Sequence, residues 1–345
     1  MSWKFHSIIL VLLISHCGAD YGQWGANVAD KLKGNGFKQD PVHFGCIYND
    51  RMTEFDVVKC NDKKGMLSLS EKLNNGRDLS LFFLGTGNTI SRKDDRFIGS
   101  LEWFIHSGTN ICYIAYAFEN YEASMFNLIF YIKRILETNR VEYVAREALN
   151  LVLNVRKKCS ETKSKQCFKN MSQLTVLGFS LGAHIGAYAC RYFFEATNEK
   201  ARRLIGLDPA AISFFVDPDK SYIQSGDADY VQIIHTSYLG TQNKKGDHDI
   251  YINSDNWGSH NNHRLAVDIN MLIAARKLVI VASKTGNSKI INLQKNMSPD
   301  RVILGPNDCL VGVYSEARHI DDLPICEEDR PTYEIDFPNK SMKFY

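Results

Sequence analysis

The sequence lacks any block of five or more like charges, and its net charge is only +2 at pH 7. That excludes the electrostatic footprint of a nucleic-acid binder. Proline and glycine are few, 8 and 23 of 345 residues, which excludes a collagen-like or low-complexity chain. No apolar run approaches the roughly eighteen residues that a membrane-spanning helix needs. No C-x-x-C pair occurs either, which argues against a zinc site. What remains is 44% hydrophobic and 23% charged, ordinary for a soluble globular protein and long enough for one large α/β domain or two smaller ones.

The N-terminus reads as a targeting segment. Lys4 and His6 give a weakly basic start, Ile8 to Ile14 form a short apolar core, and Cys17-Gly18-Ala19 supplies small residues for cleavage. This is the pattern of a secretory signal peptide over residues 1–19, leaving 20–345 as a single domain. Export changes the cysteine arithmetic. Of nine cysteines, removing Cys17 leaves eight, an even number in an oxidising compartment. Proximity in sequence suggests the disulfides Cys46–Cys60, Cys159–Cys167 and Cys309–Cys326, leaving Cys112 with Cys190. Sequons at Asn170, Asn296 and Asn339 are glycosylation candidates consistent with secretion.

The body of the chain alternates strand-like and helix-like patterns. Apolar runs at Leu79–Leu84, Asn110–Phe118, Gln173–Phe179, Arg203–Leu207 and Tyr230–His235 suit strands buried on both faces. Helical spacing marks Ala123–Glu137, Glu142–Val155 and Gly182–Phe194. The alternation predicts an α/β fold, a mostly parallel sheet with helices on both faces.

Gly178-Phe179-Ser180-Leu181-Gly182 is a G-x-S-x-G motif. An apolar strand runs into it and a small-residue helix runs out, the strand–turn–helix context of a nucleophile elbow. A serine needs a base, and the base needs an orienting acid. Asp208 ends the next strand in Gly206-Leu207-Asp208-Pro209-Ala210, so it faces the same crevice. Asp217, Asp219, Asp227 and Asp229 sit in polar loop sequence and read as solvated. Among later histidines, His235 ends a strand and reads as packed structure, and His248 lies in a charged loop. His260 and His263 both precede a helical pattern from Leu265, and position alone does not separate them. His184 is too close to the elbow to serve as base.

GFSLGAH, then GLDPA, then YVQIIHTS resemble the pancreatic-lipase family, including its insect phospholipase A1 and yolk-protein branches, from about residue 79 to 316. The resemblance implies the α/β-hydrolase fold, Ser180 as nucleophile and Asp208 as acid. The family's base precedes H-x-R-A, and His263-Arg264-Leu265-Ala266 keeps the Ala and the helix register, implying His263. Backbone N–H groups of Thr86 and Leu181 would form the oxyanion hole.

Several positions depart from the family. Its His-Gly at the oxyanion loop is Leu84-Gly85-Thr86 here, and its Asp-Trp is Ala115-Tyr116. The lid is short, eleven steps from Ile252 to His263. The length leaves no room for the family's C-terminal β-sandwich, so no colipase partner is implied. The expected activity is a secreted, extracellular serine hydrolase of lipid esters, most consistent with phospholipase A1, acting on phospholipid or acylglycerol at a membrane or aggregate surface. It would have no cofactor, no nucleic-acid partner and no transmembrane segment. The alternatives are a triacylglycerol lipase and a non-catalytic yolk or carrier protein.

Overall fold

A computed structural model describes residues 40–117, 131–132, 135–136, 138–162, 167–212, 223–253, 260–284, 288–292, 302–314 and 332–336. Two strands open the described chain, β1 (His43–Ile47) and β2 (Asp56–Lys59), followed by helix α1 (Lys63–Leu73). Then come β3 (Asp78–Phe83), α2 (Phe97–Ser107), β4 (Thr109–Ala115), α3 (Arg140–Thr162) and β5 (Leu174–Phe179). Helix α4 (Leu181–Thr197), β6 (Arg203–Leu207), β7 (Val231–His235), β8 (His248–Asn253) and α5 (His260–Ala274) complete the central part. Strands β9 (Leu278–Ser283), β10 (Lys289–Asn292), β11 (Asp308–Leu310) and β12 (Thr332–Asp336) follow.

The main sheet runs β12-β8-β7-β6-β5-β3-β4-β1-β2. Every neighbouring pair is parallel except those made by β1, which is antiparallel to both β2 and β4. A smaller antiparallel sheet places β9 between β10 and β11.

The apolar strand runs are explained by a core on each face. Leu81, Phe83, Val176, Leu204 and Ile233 point into one cluster, which includes residues of α1, α3 and α4. Phe82, Leu177, Ile205 and Ile234 point into the other, which includes residues of α2 and α5. The two-residue period of a strand sends neighbours to opposite faces, and both faces are covered, so no polar alternation survives. The five strand runs read from sequence correspond to β3 to β7. Most of the Ala123–Glu137 pattern lies outside the described residues, as do residues 1–19.

The sheet order also positions the site. From β3 the chain moves outward to β4, then crosses back to β5 on the other side of β3 and proceeds to β6, β7 and β8. The strand order therefore reverses between β3 and β5. In open α/β sheets, the crevice outside the carboxyl ends of the strands at such a point is where ligands bind.

Two disulfides are present among the described residues, Cys46–Cys112 and Cys159–Cys167. The Cys46–Cys60 and Cys112–Cys190 pairings expected from sequence are corrected by strand register. Cys46 stands directly opposite Cys112 across β1 and β4, with Cα atoms 4.1 Å apart. The β1–β2 register instead puts Cys46 opposite Asp56, and Cys60 beyond the hairpin's end, its N–H donating to Val42 O. Cys60 and Cys190 are thiols, and burial pushes the Cys190 thiol well above its usual pKa. Cys326, the assigned partner of Cys309, lies outside the described residues. So do Asn296 and Asn339, whereas Asn170 is exposed.

Candidate active site

Three chain segments converge at the reversal point. The first is the elbow. Ser180 follows β5 with φ 56° and ψ −125°, a left-handed conformation that costs a non-glycine residue about 1–3 kcal/mol and persists only where surrounding structure enforces it. Its N–H donates to Leu207 O at 3.0 Å, tying the turn to β6. The tight strand-to-helix reversal explains both glycines of the motif. A Cβ on Gly178 would lie 2.3 Å from Gly182 O, and one on Gly182 would lie 2.4 Å from both Phe83 O and Leu84 O. The second contact shows that the end of β3 packs against the first turn of α4. Leu181 is the first residue of that helix, where backbone N–H groups have no helical partner and the dipole favours negative charge.

The second segment carries the acid. Asp208 follows β6, also at positive φ (43°), and is fully buried. An ionised carboxylate in that position needs donors around it. Its Oδ1 accepts from the N–H groups of Thr236 (2.9 Å) and Ser237 (3.2 Å). Its Oδ2 accepts from the Ser237 hydroxyl at 2.5 Å. These donors come from the turn after β7, the neighbouring strand. Sequence reasoning missed Ser237; the only available signal was a Thr-Ser pair at the carboxyl end of a predicted strand.

The third segment is α5. His263 Nδ1 lies 2.6 Å from Asp208 Oδ2. The ring packs on Phe179, centroid to centroid 4.7 Å, which places it beside the residue preceding Ser180. With Nδ1 engaged, Nε2 lies on the edge of the ring away from the acid. Ser180 and His263 are 8% and 9% exposed, so both lie at the floor of the crevice. His260 and His263 stand inside the first turn of α5, rather than ahead of the helix as the sequence suggested.

The other histidines are committed to structure. His184 Nε2 donates to Ala210 O (2.8 Å) while Nδ1 accepts from Ile223 N–H (3.3 Å), so the ring is neutral. Burial drives its pKa down to about 4. His235 is buried between Thr241 O (2.8 Å) and Asp249 Oδ1 (2.7 Å). His248 is not in a loop: it opens β8, buried, with Nδ1 2.8 Å from the Tyr230 hydroxyl and a pKa lowered by burial to about 4. Asp227 is not solvated either. It is buried and paired with Arg191, Nε to Oδ1 2.7 Å, because the loop before β7 folds back onto α4. Asp229 is exposed, and Asp217 and Asp219 lie outside the described residues.

The oxyanion loop follows β3. Asn88 N–H donates to Gly85 O (3.1 Å) and Gly87 has φ 78°, a four-residue turn with Thr86 and Gly87 at its centre. The Thr86 N–H takes no part in the turn's closing bond.

A serine on a strained elbow, a buried carboxylate and a histidine bonded to it, on a mostly parallel sheet in this order, are arranged as in the α/β-hydrolase fold. Residues 137–288 match the model of the lipase family. The chain is similar to the phospholipase A1 of Vespula vulgaris, 30% identical over 174 residues, which cover 50% of this chain and 45% of that one. Phospholipase A1 1 of Dolichovespula maculata is 32% identical over 178 residues, 50% of this chain and 52% of that one. Phospholipase A1 of Vespa crabro is 44% identical over 85 residues, 24% of this chain and 28% of that one. The longer matches thus span about half the length of these relatives.

Proposed function

We propose that the protein is a secreted serine hydrolase of lipid carboxylic esters, with phospholipase A1 activity at the sn-1 position. The observation that carries the reading is the buried His263–Asp208 contact, 2.6 Å, beside the strained Ser180 elbow. In this reading His263 Nε2 takes the Ser180 proton as Oγ attacks the ester carbonyl. Asp208 holds the ring in the tautomer with Nδ1 protonated and stabilises the imidazolium that forms. The Thr86 and Leu181 N–H groups receive the oxyanion charge. Collapse releases the lysophospholipid, protonated by His263, and water then hydrolyses the acyl-enzyme.

Two features favour phospholipid over triacylglycerol. The relatives at 30–32% identity bear the name phospholipase A1. Only residues 254–259 separate β8 from α5, too few for an amphipathic flap over the crevice. A crevice without such a flap would suit a headgroup better than bulky apolar glyceride. Secretion is supported by the N-terminal pattern and the disulfides. Among the described residues no helix is long and apolar enough to cross a membrane.

The test is incubation of the purified protein with triolein and with phosphatidylcholine labelled at sn-1 or sn-2, with Ser180→Ala as control. Release of sn-1 acid, little activation on passing from monomeric to aggregated substrate, and fluorophosphonate labelling of Ser180 are expected. Faster triolein hydrolysis with a sharp jump at the interface would instead assign a triacylglycerol lipase. No turnover and no labelling would assign a non-catalytic relative.

A further inference from the structure

The oxyanion loop carries two hydroxyls that the backbone mechanism leaves unused. Thr86 Oγ1 and Tyr116 Oη are both buried, and among the described residues neither has a hydrogen-bond partner beyond the contact between the two. Tyr116 follows β4, which pairs in register with β3, and Leu84 N–H donates to Ile114 O. The register thus brings residues 85–86 alongside residue 116, and the Thr86 hydroxyl is the polar side chain that the Tyr116 hydroxyl senses. Tyr116 packs in the same core cluster as Leu181. Its backbone is pinned by Arg140, whose Nη2 donates to Tyr116 O at 3.2 Å.

Buried polar groups without a partner are rare in native proteins, and each calls for an explanation, catalysis being one. The phenol is the stronger acid of the two hydroxyls, so in a Tyr–Thr contact it is the natural donor. Burial raises its pKa well above the usual phenol value, so it keeps its proton throughout the working range. With Thr86 Oγ1 accepting from Tyr116, the Thr86 proton is left without an acceptor until a negative oxygen arrives.

Building on the hydrolase reading above, we infer that the Thr86 hydroxyl is a third oxyanion donor, alongside the Thr86 and Leu181 N–H groups, with Tyr116 as the residue that orients it. No proton is transferred. As Ser180 Oγ bonds to the carbonyl carbon, the carbonyl π pair moves onto oxygen, and the Thr86 O–H bonds to that oxygen until the tetrahedral adduct collapses and expels the alcohol. A side-chain donor on the loop itself also accounts for why Leu84 stands where the resembled family carries histidine without emptying the hole.

The experiment compares Thr86→Val, Thr86→Ser and Tyr116→Phe on a soluble short-chain ester, with each variant's thermal melt as a folding control. Valine keeps the shape and backbone N–H but removes the hydroxyl; serine keeps the hydroxyl and removes the methyl. Thr86→Val should lower kcat by about 100-fold, the usual consequence of removing one oxyanion donor, with KM nearly unchanged. Thr86→Ser should retain activity within a few-fold of the parent. Tyr116→Phe should lose on the order of tenfold in kcat alone, as for one neutral hydrogen bond, and decides the matter if Thr86→Val fails to fold. Equal activity of Thr86→Val and the parent, or equal losses for valine and serine, would overturn the inference while leaving the hydrolase reading intact. A parent protein with no turnover and no fluorophosphonate labelling would sink both.

Discussion

Mild acid should destabilise this protein through two histidines held neutral by burial. His184 spends both ring nitrogens inside the fold, one as donor to Ala210 O and one as acceptor from Ile223 N–H. Protonation would set N–H against N–H. His248 is likewise buried, bonded to the Tyr230 hydroxyl. Both have pKa values lowered from 6.5 to about 4, with burial as the largest cause. Unfolding restores the ordinary value, so between pH 4 and 6.5 the unfolded chain binds more protons than the folded one. Stability therefore falls as pH drops through this window and levels off below the folded pKa. By linkage the full shift is worth about 3 kcal/mol per histidine, of which about 2 kcal/mol is lost by pH 5. Together the two losses are a large part of the roughly 5–15 kcal/mol that keeps a typical domain folded. The assay is urea unfolding near pH 7.5 and near pH 5 for the parent, His184→Gln and His248→Gln. Each variant should show about 2 kcal/mol less destabilisation between these two pH values than the parent. The buried carboxylates Asp227 and Asp268, whose pKa values burial raises, titrate alike in all three proteins and cancel in the comparison. Identical pH dependence in parent and variants would refute the argument.

Ser180→Ala, Asp208→Asn and His263→Ala should each reduce kcat on the order of 10⁴-fold without adding when combined, since the three act as one unit; an active His263→Ala beside an inactive His260→Ala would move the base. Ser237→Ala removes the hydroxyl donated to Asp208 Oδ2 and should cost about 10- to 100-fold in kcat/KM, as for a hydrogen bond to a charged group. Unaltered kcat/KM across the pH profile would show that the two backbone donors hold the acid unaided. Replacing Cys46 and Cys112 by alanine should destabilise by about 4 kcal/mol, against about 2 kcal/mol for Cys159 and Cys167, because the bridges close sequence separations of 66 and 8 residues; equal losses in denaturant titrations would contradict this. Alkylation after unfolding without reductant should label Cys60 and Cys190, and protection of either would mean that it is bridged.

The sequence by itself carries the local geometry of this protein. An apolar run into G-x-S-x-G and a small-residue helix out of it admit one conformation, because only glycine fits where Gly178 meets Gly182 and where Gly182 meets the end of β3. Strands β3 to β7 are legible for a related reason: residues buried on both faces leave an unbroken apolar run. The edges of the sheet were not. Strand β1 is short and interrupted by Gly45, β2 is short and half polar, and β12 lies far along the chain from the partner it pairs with, so neither composition nor period marks them. Contacts between distant segments belong to the tertiary structure alone. His260 and His263 are equivalent on a helical pattern, and only the docking of α5 brings His263 Nδ1 onto Asp208. Ser237 is an unremarkable serine until the parallel pairing of β6 and β7 lays its hydroxyl on that same carboxylate. Cysteine pairing follows the same rule: nearness in sequence suggested Cys60 for Cys46, but disulfides answer to distance in space, and β4 lies between β1 and the rest of the sheet.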